Sequence, residues 1–346
     1  MDSAPGPVAD SARLLAIVTG NWKTQAVYVA ARLGLPDLLS ESPRTAEDLA
    51  EATATHGPSL ARLLRALAAI DIVREREDGS FELTSMGSLL RDETPDSLRA
   101  WVLHWGGSSW RAWGDFLHSV ETGESARSLV SESAGFEHLA ADPEAADTFH
   151  RAMVELTRLV VRDFVQAVDW TETRRIVDVG GGYGELLVAA LTASPGSVGV
   201  LFDEPHAIER GRLHLRAAGV EHRCEFSSGD FFEWVPGGAD TYMLKSVLHD
   251  WSDERATAIL ASCRRAMGTA GRLLIVERIV PERVGSTDED QALACMDLHM
   301  LVQHGSRERS APELRDLLAG AGFRIASTKP LRATLAVIEA VPADRA

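Results

Sequence analysis

The stretch MLKSVLHDWSD, residues 243–253, sets a histidine beside an aspartate directly after the apolar run of a strand. An imidazole with an unperturbed pKa of about 6.5 is the side chain best suited to take a proton near neutral pH. At the carboxyl end of a strand it faces the region where ligands of open α/β sheets bind. His249 is therefore the candidate general base. A carboxylate beside it would fix its tautomer and stabilise the imidazolium that forms.

The second constellation is DVGGGYG, residues 178–184, a glycine-rich turn between the short apolar strand Ile176 to Val179 and a helix from about Glu185. Glycines there let the backbone approach a ligand closely and expose its N–H groups. A nicotinamide-dependent dehydrogenase would share such a turn, so the loop alone does not choose a ligand. Two acids narrow the choice. Asp203 ends the next strand, where it can accept from both ribose hydroxyls. Asp230 follows the third strand, placed for an adenine amino group, with Phe231 beside it to cover the ring. Acids on successive strand ends suit a nucleoside ligand that carries a cation and no phosphate, such as S-adenosylmethionine (SAM).

These residues need elements to position them. From residue 166 onward, strand-like runs alternate with helical ones: RRIVDV, VGVLFDEP, CEFSSGDFF, ADTYMLKSVL and GRLLIVERIVP, then FRIASTKPL and TLAVIEAVP as a closing hairpin. That alternation predicts a doubly wound, mostly parallel, Rossmann-like sheet. The N-terminal half reads as helices between Ser11 and Leu39, a helix capped by Thr45 with Asp48 three residues on, and a helix opened by Pro58. Two short strands around the Asp78-Gly79 turn follow. Helix, turn, helix and hairpin is a winged-helix pattern. The expected organisation is a disordered tail over 1–12, a winged-helix dimerisation and substrate-wall domain over 13–165, and a catalytic domain over 166–346.

A winged helix raises DNA binding. The helix that would enter a groove offers only Arg62 and Arg65, and the formal net charge is −16, which argues against nucleic acid as a partner. The three cysteines are scattered and odd in number, which fits reduced thiols in a cytoplasmic protein rather than a disulfide framework. No 18-residue apolar run predicts a membrane span, and the acidic, Pro-rich N-terminus is not a signal peptide.

Taken in order, VDVGGGYG, LFDEP, GDFF, LKSVLHDWSDE, LLIVERIVP, SRERS and AGF resemble the SAM-dependent O-methyltransferases with a winged-helix dimerisation domain, from about Leu14 to Val341. That family includes plant phenol and caffeate methyltransferases and bacterial polyketide-tailoring enzymes. The resemblance implies that Gly180 lies against the methionine part of SAM, that Asp203 binds the ribose, and that Asp230 and Phe231 hold the adenine. It implies Lys245 as a further cofactor contact, His249 as general base, Glu277 and Glu308 as the acids flanking it, and a homodimer formed through the N-terminal domain. The acceptor implied is a small aromatic or apolar metabolite with a phenolic or enolic hydroxyl. Trp105, Phe149, Met153, Asp250, Trp251, His299 and Met300 would line its pocket.

One departure opens another chemistry. His299 occupies a helix position that is often asparagine in the family. His249, Asp250 and His299 could then hold zinc or iron, as in relatives that methylate the carbon beside the ketone of a 2-oxo acid. His304 is read as unrelated to the site. A non-catalytic SAM-binding regulator and a dehydrogenase remain as readings from other classes. The intact histidine with its acids opposes the first, and GDFF with no pyrophosphate-type GxGxxG opposes the second.

Overall fold

The computed structural model describes residues 7–343 except 93, 131–135, 137, 138, 140 and 141. The chain divides into two compact units, Met1–Trp110 and Arg111–Ala346.

The first unit opens with helices Pro7–Val18 and Gly20–Arg32. The first of these starts inside the stretch read as tail. Proline at a helix start loses no hydrogen bond, and Asp10 in the first turn complements the helix dipole. Helix Ala46–Thr53 carries the expected capping box. The Thr45 hydroxyl accepts from the Asp48 N–H at 3.2 Å, and the Asp48 carboxylate accepts from the Thr45 N–H at 3.2 Å. Helix Gly57–Ala69 buries Leu60, Leu64 and Leu67 along one stripe. Strands β1 (Val73–Glu75) and β2 (Phe81–Leu83) pair antiparallel, with Gly79 at φ 79° in the turn between them. Ala30, Leu35, Leu49, Ile72 and Phe81 complete the core of this unit.

The second unit is built on one sheet. Its strands are β3 (Arg175–Val179), β4 (Val198–Asp203), β5 (Cys224–Ser228), β6 (Thr241–Lys245), β7 (Arg272–Val280), β9 (Phe323–Pro330) and β10 (Leu335–Pro342), in the order β5-β4-β3-β6-β7-β10-β9. The pairs from β5 to β7 are parallel, and β10 runs antiparallel to both β7 and β9. A two-residue strand, β8 (Arg309–Ser310), pairs with the end of β7.

Strand periodicity sorts the residues onto two faces. Val177, Val179, Val200, Phe202, Tyr242, Leu244, Leu273 and Ile275 share one core cluster with Ile259, Leu260 and Leu314 from the helices Asp253–Ala266 and Ala311–Gly320. Ile176, Leu201, Met243, Leu274 and Val276 share the other with Val160, Phe164, Leu187 and Leu215 from the helices Pro143–Ala167, Glu185–Ala193 and Pro205–Ala217. Both faces are covered, which is why the central strands read as nearly continuous apolar runs. The fold class is α/β in the second unit with a mainly helical first unit. Among the described residues no helix is long and apolar enough to cross a membrane.

Phe164 is fully buried and joins the long helix Pro143–Ala167 to the sheet. Phe164→Ala is expected to cost about 3–5 kcal/mol, from lost burial plus the cavity left behind. Urea unfolding followed by circular dichroism would show it as a lower midpoint.

Candidate active site

The sheet order reverses at β3. The chain leaves β3 for β4 on one side and returns to β6 on the other. The crevice outside these strand ends is where an open α/β sheet takes a ligand. Gly180 closes β3 at φ 65°, and a Cβ there would lie 3.1 Å from Val247 Cγ2 and 3.5 Å from the Phe231 ring. A side chain at that position would therefore meet both strain and crowding. The Gly182 N–H donates to Asp203 Oδ2 at 2.7 Å, and the Glu204 N–H donates to Oδ1 at 2.7 Å. Burial raises the Asp203 pKa, and these two donors oppose the rise. Each carboxylate oxygen keeps a further lone pair for a ligand hydroxyl.

Asp230 is exposed, and its Oδ1 accepts from the Phe232 N–H at 2.8 Å. Phe231 stands edge-on to Phe232, with ring centroids 4.8 Å apart. Lys245 lies at the end of β6 with its ammonium buried. Burial pulls its pKa down to about 8, helped by Arg278 and opposed by Glu277, Asp178 and Asp250. Asp178, at the foot of the glycine turn, is pushed up to about 7 by burial and by Asp203, with Lys245 opposing.

His249 sits in a short turn after β6, 7% exposed. Its Nδ1 lies 3.1 Å from Glu308 Oε1 and 3.4 Å from Glu277 Oε2, and its Nε2 lies 3.5 Å from Asp250 Oδ1. Glu277 comes from β7, and its Oε1 accepts from the N–H groups of Val247 and Leu248 at 2.9 and 2.8 Å. Glu308 precedes β8, and its Oε1 also takes Arg278 Nη1 at 3.4 Å. Glu277 and Glu308 are 2% and 3% exposed, so neither is an ordinary surface acid.

Burial disfavours the imidazolium. The charges of Glu277, Glu308 and Asp250, with the Glu308 hydrogen bond, outweigh that and push the His249 pKa up to about 10. In return, the charges of His249 and Arg278 hold Glu308 below the usual glutamate range against its own burial. Asp250 goes the other way, up to about 7, because burial and the two glutamates outweigh the pull of His249 and Lys245.

His249, Asp250 and His299 do not form one ligand set. Among the described residues the only group of three or more His, Cys, Asp or Glu ligand atoms lying within 4.8 Å of one another is His249, Glu277 and Glu308. His299 Nδ1 instead accepts from the Trp113 indole N–H at 3.1 Å, with the two rings stacked. In the remaining trio, two oxygens are already engaged by backbone N–H groups and by the Arg278 guanidinium, so imidazolium and guanidinium supply the positive charge.

His304, read as unrelated to the site, lies beside Asp250, with its Nε2 3.4 Å from Asp250 Oδ1. Phe136 was also missed. Its ring lies 5.0 Å from His304, 5.6 Å from Phe149 and 6.1 Å from Trp251. Phe149 and Met153 lie four residues apart on Pro143–Ala167, on one helix face, and both are half-buried, whereas Met300 is buried on Asp288–His304. Trp105 lies in the first unit, its ring 5.4 Å from that of Trp101.

A parallel sheet with a glycine turn after its first strand, a carboxylate on the next strand and a buried acid-flanked imidazole is the frame of a SAM-dependent methyltransferase. The O-methyltransferase domain family matches residues 113–324, and the O-methyltransferase dimerisation domain matches residues 15–92. The chain belongs to the O-methyltransferase family, and SAM is its methyl donor. It is similar to the phenazine O-methyltransferase PhzM of Lysobacter antibioticus, 42% identical over 97% of this chain and 98% of that one. It is also similar to the O-demethylpuromycin-O-methyltransferase of Streptomyces alboniger, 41% identical over 95% of this chain and 89% of that one. Among solved structures, it resembles the neocarzinostatin-biosynthesis O-methyltransferase NcsB1 in complex with SAM and 2-hydroxy-5-methyl naphthoic acid. That match has a TM-score of 0.79 and 32% identity, and covers 92% of this chain and 95% of that one. The chain is a SAM-dependent methyltransferase acting on a small specialised metabolite.

A raised imidazole pKa means that the imidazolium contributes fully to stability below the ordinary value near 6.5, a contribution lost as pH climbs through about 10. In the ligand-free protein the His249 Cε1–H resonance is expected to stay at its protonated shift from pH 6 to pH 8 and to titrate only above that. A carbon–proton NMR titration on histidine-labelled protein checks this.

Proposed function

We propose that His249 is the general base for methyl transfer to a phenolic or enolic hydroxyl of an aromatic acceptor, in a cytoplasmic homodimer. The observation that carries this is the turning of Nδ1 toward Glu277 and Glu308, which leaves Nε2 as the atom that takes the proton. The acids set its strength. A phenol has an unperturbed pKa of about 10, and an imidazole raised to about 10 matches it, so the proton crosses with little free-energy cost.

When bound, SAM supplies a methyl group already activated on a sulfonium. Gly180, Asp203, Asp230, Phe231 and Lys245 hold it in this reading. Phe149, Met153, Trp251 and Met300 wall an apolar, ring-shaped acceptor, and Asp250 and His299 face its polar edge. The relatives' phenazine and naphthoic acid ring systems support an acceptor of that class.

The second reading, a binding-only regulator, has no use for two glutamates buried against one histidine. Burying them costs desolvation that the imidazolium, Arg278 and two backbone N–H groups must offset, an outlay that binding alone does not call for.

His249→Ala is expected to keep SAM affinity and to lose turnover about 10²–10⁴-fold. The assay is a panel of hydroxylated naphthoic acids and phenazines with methyl-labelled SAM, read by mass spectrometry. Weakened SAM binding with turnover intact would show the role misassigned. Because the complex must shed one proton before transfer, wild-type turnover should rise with pH through the neutral and alkaline range.

For the dimer, the support is the matched dimerisation domain and an apolar outer face on the first two helices. Leu14, Leu15, Ile17 and Trp22 are 61%, 65%, 68% and 70% exposed there. Leu15→Asp is expected to shift the protein from dimer to monomer in light scattering. An unchanged mass would remove this face from the interface.

A further inference from the structure

We propose that Arg309 and Ser306 are positioning residues that hold the turn bearing His249, so that its imidazole stays against Glu277 and Glu308. The inference rests on the reading of His249 as the base.

After β6 the chain leaves the sheet ladder, and among the carbonyls of residues 248–251 Leu248 O keeps one backbone donor, the Trp251 N–H at 3.3 Å. Three of them are taken over by two side chains. Arg309 Nη1 donates to Leu248 O at 2.6 Å, and Nη2 donates to Trp251 O at 2.7 Å. The Ser306 hydroxyl lies 2.6 Å from His249 O and 2.9 Å from Trp251 O, sharing its one proton between them. The guanidinium is itself fixed, because its Nε donates to Asp253 Oδ1 at 2.9 Å. The Arg309 side chain is 2% exposed, and burial strengthens these bonds.

On the amide side Glu277 takes Val247 and Leu248. The turn is thus pinned from both sides, and His249 is the residue between the pins. Only a planar fork with donors a fixed distance apart spans the Leu248 and Trp251 carbonyls together, whereas a lysine ammonium is a single point charge. The groups that face the imidazole and set its titration are Glu277 from β7, Glu308 ahead of β8 and Asp250 beside it; Arg278 pairs with Glu308, and Lys245 interacts with Glu277 and Asp250. His304 acts on it through Asp250. A cavity of about 380 Å³ lined by Trp251, Asp253, Ser306 and Arg309 gives a small cation access to the clamp.

The test uses the full chain loaded with S-adenosylhomocysteine (SAH), with Ser306→Ala, Arg309→Lys and Arg309→Ala. Each variant is checked by circular dichroism and for an SAH Kd within about twofold of wild type, then its His249 Cε1–H resonance is titrated by NMR. In folded, SAH-binding variants the midpoint is expected to fall by about one pH unit or more, toward the ordinary imidazole value, as Nδ1 drifts from the two acids. Millimolar methylguanidine is expected to restore the midpoint in Arg309→Ala and leave that of Ser306→Ala unmoved. If Arg309→Ala does not fold, Ser306→Ala and Arg309→Lys decide. An unmoved midpoint in those two overturns the proposal, and so does a folded Arg309→Ala that methylguanidine leaves unchanged. A His249→Ala enzyme that still turned over would sink the base reading alone, and the midpoints of the clamp variants would be unaffected by that result.

Discussion

Two glutamates are buried against one imidazole, and most of the second unit is arranged so that this is tolerable. An unpaired carboxylate taken out of water costs several kcal/mol, so Glu277 and Glu308 require compensation at close range. His249 supplies a proton between them, Arg278 supplies a fixed cation beside Glu308, and the N–H groups of Val247 and Leu248 cover Glu277 Oε1. None of these partners is close in sequence to both acids. They meet because β6 and β7 are parallel neighbours and β8 pairs with the end of β7, which brings the turn after β6 over both. The sheet topology is therefore the condition for the charge cluster, and the cluster is the condition for a strong base in a dry site.

A free imidazole is too weak a base by several pKa units for an unactivated phenol. Solvating it in a water-filled cleft would leave it so. Burial alone would make it weaker still, since desolvation opposes the imidazolium. The acids reverse the sign. They do so only while the ring stays within about 3.5 Å of them, because the attraction falls with distance even in a poorly screened interior. The basicity of the imidazole and the geometry of its turn are thus one property, and a turn that drifted would cost basicity.

Much of this was legible from residue order. The short apolar runs around Ile176–Val179, Val200–Phe202 and Tyr242–Leu244, alternating with helical stretches, announced a parallel sheet, and the Thr45–Asp48 box announced its helix. The family resemblance singled out His249, Glu277 and Glu308, and the structure places them together. What spacing could not convey was convergence from separate elements. His299 was grouped with His249 and Asp250 because it departs from the family's usual residue at a position facing substrate, yet the Trp113 indole donates to the His299 ring, and His304 lies 3.4 Å from Asp250. Five residues separate the two histidines, more than one helical turn, so which one turns inward depends on packing outside the helix. Arg309 and Ser306 were visible only as flanks of the motif around Glu308, since carbonyl acceptors leave no mark on a sequence.

The cofactor turn and the base turn are also in contact. A Cβ on Gly180 would lie 3.1 Å from Val247 Cγ2, and the Val247 N–H is one of the two that Glu277 holds. There is no slack between the loop expected to cradle the methyl donor and the loop that presents the base. A displacement of the glycine turn by a few tenths of an ångström must be absorbed by Val247, and through it by Glu277 and the imidazole. Close-packed interiors transmit such shifts rather than damp them. The absence of a side chain at Gly180 therefore does two jobs in the proposed reading, giving a ligand access to the backbone and letting the glycine turn pack against Val247. In-line methyl transfer depends on spacing, because the reacting atoms must be held near contact distance and aligned.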